Sequence, residues 1–387
     1  MDNSTASSGL RADRLAHLRA IIEDDISRGR YHGAVICVGR HGRVGLHEAI
    51  GHGYRGRRQP LAHDSVFSIF SVTKAITNVL VFRAIELGQL ALTTRVSSVV
   101  PEFSGGEREQ LTVYHLMTHS TGIGPVFTPK PGMCIDRLDE IIAAICEHVH
   151  AEGPAGHKVN YSPMVSHALL GEMARRVDPR ARRYRDLVQE EIFTPLGMTS
   201  SSVGVRKDLR ARKIVPDFLD ASPIEHLGHS NLGPNGAFEE EEAEMPWVGV
   251  VSTTHDMFRF AEMLRRGGEL DGARILSPAM LDQATRNRTG EKPNELYTML
   301  AQSRGWAPYP AYIGIGFSLR GEAMCHHQFG TLTSPLAFGN HGAGSTLFWV
   351  DPVLDMTFVC LTAGVMNEAD NIERFQRLSD IAVSAAV

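Results

Sequence analysis

The segment SVFSIFSVTKAITNVLVFRAIELGQLAL (residues 65–92) joins a short apolar run to a strongly helical one, with a serine and a lysine at the junction. Residues 71–87 predict a helix stopped by Gly88. Ser71 and Lys74 are three apart, so a helix holds them side by side on one face. A serine hydroxyl is a poor nucleophile until a base reaches it. Lysine, with an ordinary pKa near 10.4, becomes that base at neutral pH only if burial or nearby cations lower it by roughly three units, about 4 kcal/mol. The apolar VFSIF run before Ser71 predicts such burial. Ser71 would also open the helix, where free N–H groups and the dipole favour a developing oxyanion. SVTK is the only S-x-x-K in the chain. The same pattern also describes an N-cap serine followed by a surface lysine, so its companions decide the reading.

Bulk properties narrow the classes. The 387 residues are 43% hydrophobic and 21% charged, ordinary for a globular protein. That length holds two or three average domains, or one large domain with an insertion. A net charge of −5 gives no global basic field for nucleic acid or a membrane surface. Only six of the 39 basic residues are lysines (74, 130, 158, 207, 213 and 292), so a lysine in a chemically sensible place is informative. The five cysteines (37, 134, 146, 325, 360) show no C-x-x-C pairing, which argues against a disulfide framework or a zinc site. No cofactor is expected. The first 15 residues lack an apolar signal core, and no apolar run approaches the roughly 20 residues that span a bilayer. A cytoplasmic location is the expectation.

Hydrophobic periodicity organises the rest. Leu15, Leu18, Ile21, Ile22 and Ile26 predict an amphipathic helix over 10–29. Residues 34–38 and 44–50 predict a hairpin with its turn at 39–43. From about 90 to 245 the chain reads as helices (a short one ending at Gly122, then 137–150, 163–177 and 183–193) with looser stretches at 121–135 and 217–246. Glu239–Glu242 reads as a solvated loop. A helix over 253–266, strands at 311–319, 345–351 and 356–362, and a helix over 368–386 close the chain. These patterns predict an α+β fold. Residues 1–70 with 246–387 build an antiparallel sheet flanked by helices, 71–245 form a mainly helical lobe, and the active site lies at the seam.

Five segments in order carry a family resemblance over roughly residues 30–365. They are the 65–92 segment, LTVYHLMTHSTGI (111–123), VNYSPMVSHALLGEMA (159–174), the pair IFTPLGM (192–198) and VGVVSTTHDMFRFAEMLRRGGELDGARILS (248–277), and FGNHGAGSTLFWVDP (338–352). Together they resemble the serine β-lactamase and penicillin-binding-protein superfamily, on the branch of class C β-lactamases and related esterases. The resemblance implies a serine β-lactamase-like fold. It also implies that Tyr161 works with Lys74 to activate Ser71 and protonate the leaving group. A phenol near pKa 10 serves as a base only beside a cation, and the pair then shares one proton.

Two departures stand out. Pro163 occupies the place of the asparagine in the family's Tyr-Ser-Asn motif and offers neither a side-chain amide nor a backbone donor. The Lys-Thr-Gly positions fall on Asn340, His341 and Gly342. Either Asn340 or His341 takes the usual cationic place, because a one-residue slip on a strand reverses the face. The family implies that the backbone N–H groups of Ser71 and Ala343 form an oxyanion hole. Gly342 and Gly344 are expected to let substrate approach the strand.

Other residue patterns compete for a role. His115 and His119, spaced i and i+4, lack the companion ligands of a metal site, and Cys325-His326-His327 reads as a loop tract. Trp247, Phe127 and Phe317 are candidates for an acyl pocket or for core. The expected activity is hydrolysis of small carboxylic esters through an acyl-Ser71 intermediate. The alternatives are an acyltransferase or cyclase of secondary metabolism, a D-amino-acid peptidase or amide hydrolase, a β-lactamase, and a non-catalytic scaffold.

Overall fold

The computed structural model describes residues 8–54, 59–220 and 236–387. Helix α1 (Ala12–Ser27) leads into strands β1 (Gly33–Arg40) and β2 (Arg43–Gly51). Helices α2 (Thr73–Glu86), α3 (Leu138–His148), α4 (Val165–Val177), α5 (Thr254–Arg265) and α6 (Glu295–Ser303) follow. Strands β3 (Ser318–Leu319), β4 (Phe338–Gly342), β5 (Thr346–Asp351) and β6 (Met356–Ala363) then precede α7 (Glu368–Val383). The six strands make one antiparallel sheet in the order β2-β1-β6-β5-β4-β3, so the two ends of the chain meet where Gly33 faces Ala363.

Period-two alternation gives this sheet two apolar faces. Ile36, Val38, Trp349, Phe358 and Cys360 pack with Leu15, Leu18 and Ile22 of α1 and with Phe375 and Leu378 of α7. Val35, Cys37, Phe348, Val350 and Val359 join Phe258 and Phe260 of α5 in a larger core that extends to α2 and α4. Helix α2 is buried on nearly every side, and its apolar content all round suits it to that place. Its buried polar groups are satisfied: Asn78 Nδ2 donates to Gly316 O at 2.7 Å, and Thr77 Oγ1 lies 2.7 Å from Tyr184 Oη. A small sheet orders Ser202–Val203, Val250–Ser252, Val66–Ser68 and Lys213–Ile214 side by side, and sets the strand that enters the Ser71 turn.

Several expectations are corrected. Residues 70–72 form a 3₁₀ turn and α2 starts at Thr73, so Ser71 stands just before the helix instead of opening it. The first hairpin turns on His41 and Gly42, both at positive φ, a two-residue loop that matches strand twist. Only Ser318–Leu319 of the expected 311–319 strand is extended in a sheet; Gly316 at φ +79° breaks the run. The 183–193 helix divides into Tyr184–Val188 and a π-helical turn, Gln189–Phe193. Part of the 217–246 stretch, residues 221–235, lies outside the described residues. Its acidic run is paired instead of merely solvated: Glu239 meets Lys213 at 3.2 Å, and Glu242 meets Arg183 at 2.7 Å and Arg185 at 2.9 Å. Among the described residues no helix is long and apolar enough to cross a membrane.

Candidate active site

The turn that carries Ser71 is strained and tightly held. Phe70 sits at φ +48°, a left-handed conformation that costs a bulky side chain free energy. Its ring packs on Phe238 with centroids 5.0 Å apart. Thr346 of β5 donates its hydroxyl to Ile69 O at 2.8 Å, tying the sheet to the turn. Gly342 and Gly344 make this approach possible: a Cβ on Gly342 would meet Ile69 O at 2.7 Å, and one on Gly344 would fall into the Phe70 ring. The glycines therefore admit the nucleophile turn.

Lys74 Nζ lies 2.9 Å from Ser71 Oγ and 3.3 Å from Trp247 O, and the residue is only 1% exposed. Burial holds its pKa well below the ordinary lysine value. The Tyr161 ring centroid is 5.0 Å from Lys74 Nζ. Burial raises the Tyr161 pKa, and the neighbouring Ser71 hydroxyl only partly offsets the rise. The structure thus brings Ser71, Lys74 and Tyr161 together. Burial thus disfavours both the ammonium form of Lys74 and the phenolate form of Tyr161.

Backbone contacts fix Tyr161. Its N–H donates to Asn294 Oδ1 at 3.2 Å, the Asn160 N–H donates to His119 O at 2.9 Å, and the Ser162 N–H donates to His119 Nδ1 at 3.1 Å. The His119 ring lies 4.9 Å from that of Tyr161. Burial, helped by the Lys74 charge, lowers the His119 pKa to about 3, so it stays neutral and can accept. His167 is lowered well below its ordinary value by burial, then by Lys74 and His119. His119 turns inward at φ +52°, whereas His115 Nδ1 accepts the Thr112 N–H at 3.2 Å and caps its own short helix. The helical i, i+4 arrangement is therefore broken. Among the described residues no cluster of three or more metal-ligating side chains occurs.

Ser71 and Tyr161 open into a cavity of about 440 Å³, which Ala343, Pro163, Trp247 and Phe127 also line. Phe317 is core instead, packed between Phe82 and Phe338. Ala343 occupies the turn after β4. Of the two strand candidates, His341 lines this cavity. Asn340 opens on a smaller recess of about 50 Å³ beside Tyr161, and its Oδ1 is buried without a partner. Three residues that sequence reasoning missed hold His341. Its Nε2 lies 2.7 Å from both Tyr297 Oη and Glu368 Oε1, and its Nδ1 lies 2.7 Å from Gln328 Nε2. Tyr297 also packs its ring edge-on against Tyr161, with centroids 6.1 Å apart. The Asn294 cap followed by Glu295 is the signal that could have revealed the α6 helix carrying Tyr297. The Cys325-His326-His327 tract diverges: His326 stacks on Trp306 at 4.1 Å, and His327 Nε2 lies 3.1 Å from Leu319 O.

The Beta-lactamase family model matches residues 18–382. The chain is 30% identical over 272 residues to Penicillin-binding protein 4 of Amycolatopsis lactamdurans, which covers 68% of each chain. It is 35% identical over 138 residues to Esterase EstB of Burkholderia gladioli, 35% of each chain. Among solved structures, a family VIII carboxylesterase superposes with a TM-score of 0.77 at 21% identity, covering 97% of this chain and 99% of the other. A penicillin-binding protein homologue from Caulobacter crescentus gives 0.76 at 24% identity, covering 97% and 99%.

Proposed function

The chain belongs to the Beta-lactamase family, and on that premise we propose that it is a serine hydrolase of small carboxylic esters, acting through a covalent acyl-Ser71 intermediate. The observation that carries this reading is the 2.9 Å approach of a buried lysine amine to the Ser71 hydroxyl. Neutral Lys74 accepts the Oγ proton as Oγ bonds to the ester carbonyl carbon. The backbone N–H groups of Ser71 and Ala343 hold the resulting oxyanion. Tyr161 passes a proton to the departing alkoxide and is resupplied by the Lys74 ammonium, so the pair ends neutral. Water then attacks the acyl carbon, the same groups run in reverse, and acid leaves. On this reading the catalytic seam lies between a sheet lobe (residues 1–70 and 246–387) and a mainly helical lobe (71–245).

Esters are favoured over β-lactams for three reasons. The cavity wall is mostly apolar, with Phe70, Phe127, Phe238, Trp247, Leu296 and Leu300. Its volume of about 440 Å³ suits a small ligand. Pro163 stands where the family holds a substrate amide. The partial match to Esterase EstB supports the same choice.

The test is a p-nitrophenyl butyrate assay with a phosphonate label. One equivalent of burst product, label on Ser71 and loss of both in Ser71→Ala are expected. Turnover that survives Ser71→Ala overturns the reading. Adding alcohol or amine acceptors, and measuring product diverted from the free acid, separates hydrolysis from acyl transfer.

A further inference from the structure

The cavity that holds Ser71 has one charged wall, built where α7 begins. Asn367 caps that helix by accepting the Asp370 N–H at 3.0 Å, and Glu368 is its first residue. A helix N-terminus favours an anion, and so does an imidazole that can protonate. Here an internal carboxylate already occupies both. Glu368 Oε1 lies 2.7 Å from His341 Nε2 and accepts from Tyr297 Oη at 3.3 Å. Burial acts to raise the Glu368 pKa, but facing His341 and the hydrogen bonds from His341 and Tyr297 outweigh it, so the group stays ionised. Asp220 adds a second carboxylate to the lining and accepts from Asn367 Nδ2 at 3.2 Å. Among the described lining residues there is no arginine and no lysine. Lys74 is sealed in behind Ser71.

We propose that Glu368 is a specificity-determining residue that reserves the His341 imidazole and the positive end of α7, so that the site takes esters without a carboxylate and rejects carboxylate-bearing ones. The inference rests on the ester-hydrolase reading and names its substrate class: uncharged or cationic esters. A carboxylate entering this cavity loses its water, meets two like charges and finds no free cation among the described lining residues.

Binding to Ser71→Ala protein, which lacks the nucleophile, tests the claim apart from turnover. Calorimetry with stable amide analogues compares two matched pairs. N-(4-nitrophenyl)butanamide against N-(4-nitrophenyl)succinamate varies charge on the acyl side. Methyl 4-acetamidobenzoate against 4-acetamidobenzoate varies it on the leaving side. In at least one pair the charged member is expected to bind about ten-fold or more weakly, and adding Glu368→Gln should close most of that gap. Glutamine still offers His341 an acceptor, so the wall keeps its hydrogen bond. Equal binding within both pairs, or a gap that Glu368→Gln leaves in place, overturns the proposal. Charge discrimination in binding without p-nitrophenyl butyrate turnover by the unmodified protein sinks the ester reading alone.

Discussion

His119 Nδ1 accepts the backbone N–H of Ser162 at 3.1 Å, and this bond anchors the peptide next to Tyr161. His119 itself sits at φ +52°, where asparagine is at home and branched residues are not. His119→Asn keeps both an acceptor and the conformation, whereas His119→Leu keeps neither. Misplacing a catalytic group by about 1 Å can cost on the order of 10²-fold. His119→Leu is therefore expected to lower kcat by roughly 10- to 100-fold with KM little changed, and His119→Asn to restore most of it. Equal losses in the two variants would show that the bond does not position Tyr161.

Acid should destabilise the fold through its buried histidines. His119 and His327 each have a folded pKa of about 3, lowered chiefly by burial. An unfolded histidine takes its proton near 6.5. Between those values the unfolded chain binds more protons, so the stability these groups allow is present above about 6.5 and is lost as pH falls toward 3. The slope is up to about 1.4 kcal/mol per pH unit for each histidine. Urea midpoints at pH 6.5, 5.5 and 4.5 should fall steadily, and His119→Asn should flatten the trend by one histidine's share. Identical slopes would remove His119 from the account.

Lys74 predicts the opposite of a stabilising contact. Burial lowers its folded pKa below the unfolded one, so below the unfolded value the unfolded chain holds this proton more tightly than the folded site does. The penalty fades as pH rises toward the unfolded value. Lys74→Met removes it, so thermal scans should show a higher Tm at pH 7, together with loss of at least about 10³-fold in kcat. Each kcal/mol recovered raises Tm by roughly 2–4 °C in chains of 150–250 residues, and by less in this longer one. A lower Tm would mean that the amine is held charged by partners.

Much of this arrangement is legible in the sequence, because it follows from local rules. Continuous apolar runs at Ala34–Val38 and Leu347–Val350 mark buried strands, and the apolar run before Ser71 marks its burial. What escapes reading depends on distant partners. Tyr297, Gln328 and Glu368 look like ordinary polar residues until α6, a loop and the start of α7 converge on His341. Whether Asn340 or His341 reaches the cavity depends on strand register: Asn340 faces Phe348, and His341 faces Leu347. No composition or spacing rule fixes that pairing. Phe317 looks as suited to a pocket as to a core, and only its packing on Phe82 and Phe338 decides.

The same long-range logic gives the sharpest test of the nucleophile turn. Gly344 has no side chain because the Phe70 ring fills the space that a Cβ would need. Gly344→Ala must therefore push either the ring or the strand away. Overpacking of this kind costs about 1–3 kcal/mol. The displaced groups flank the N–H groups of Ser71 and Ala343 that are proposed to hold the oxyanion, so on that proposal kcat should fall by roughly 10²-fold or more, as when one oxyanion donor is removed. Phe70→Ala alone leaves a cavity and costs about 3–5 kcal/mol. If the clash is with that ring, the two changes are not additive: the double variant should be at least about 1 kcal/mol more stable than the sum of the single losses predicts. Urea denaturation of all four proteins measures the coupling. Additivity within about 0.5 kcal/mol would show that the strand, not Phe70, absorbs the added methyl group.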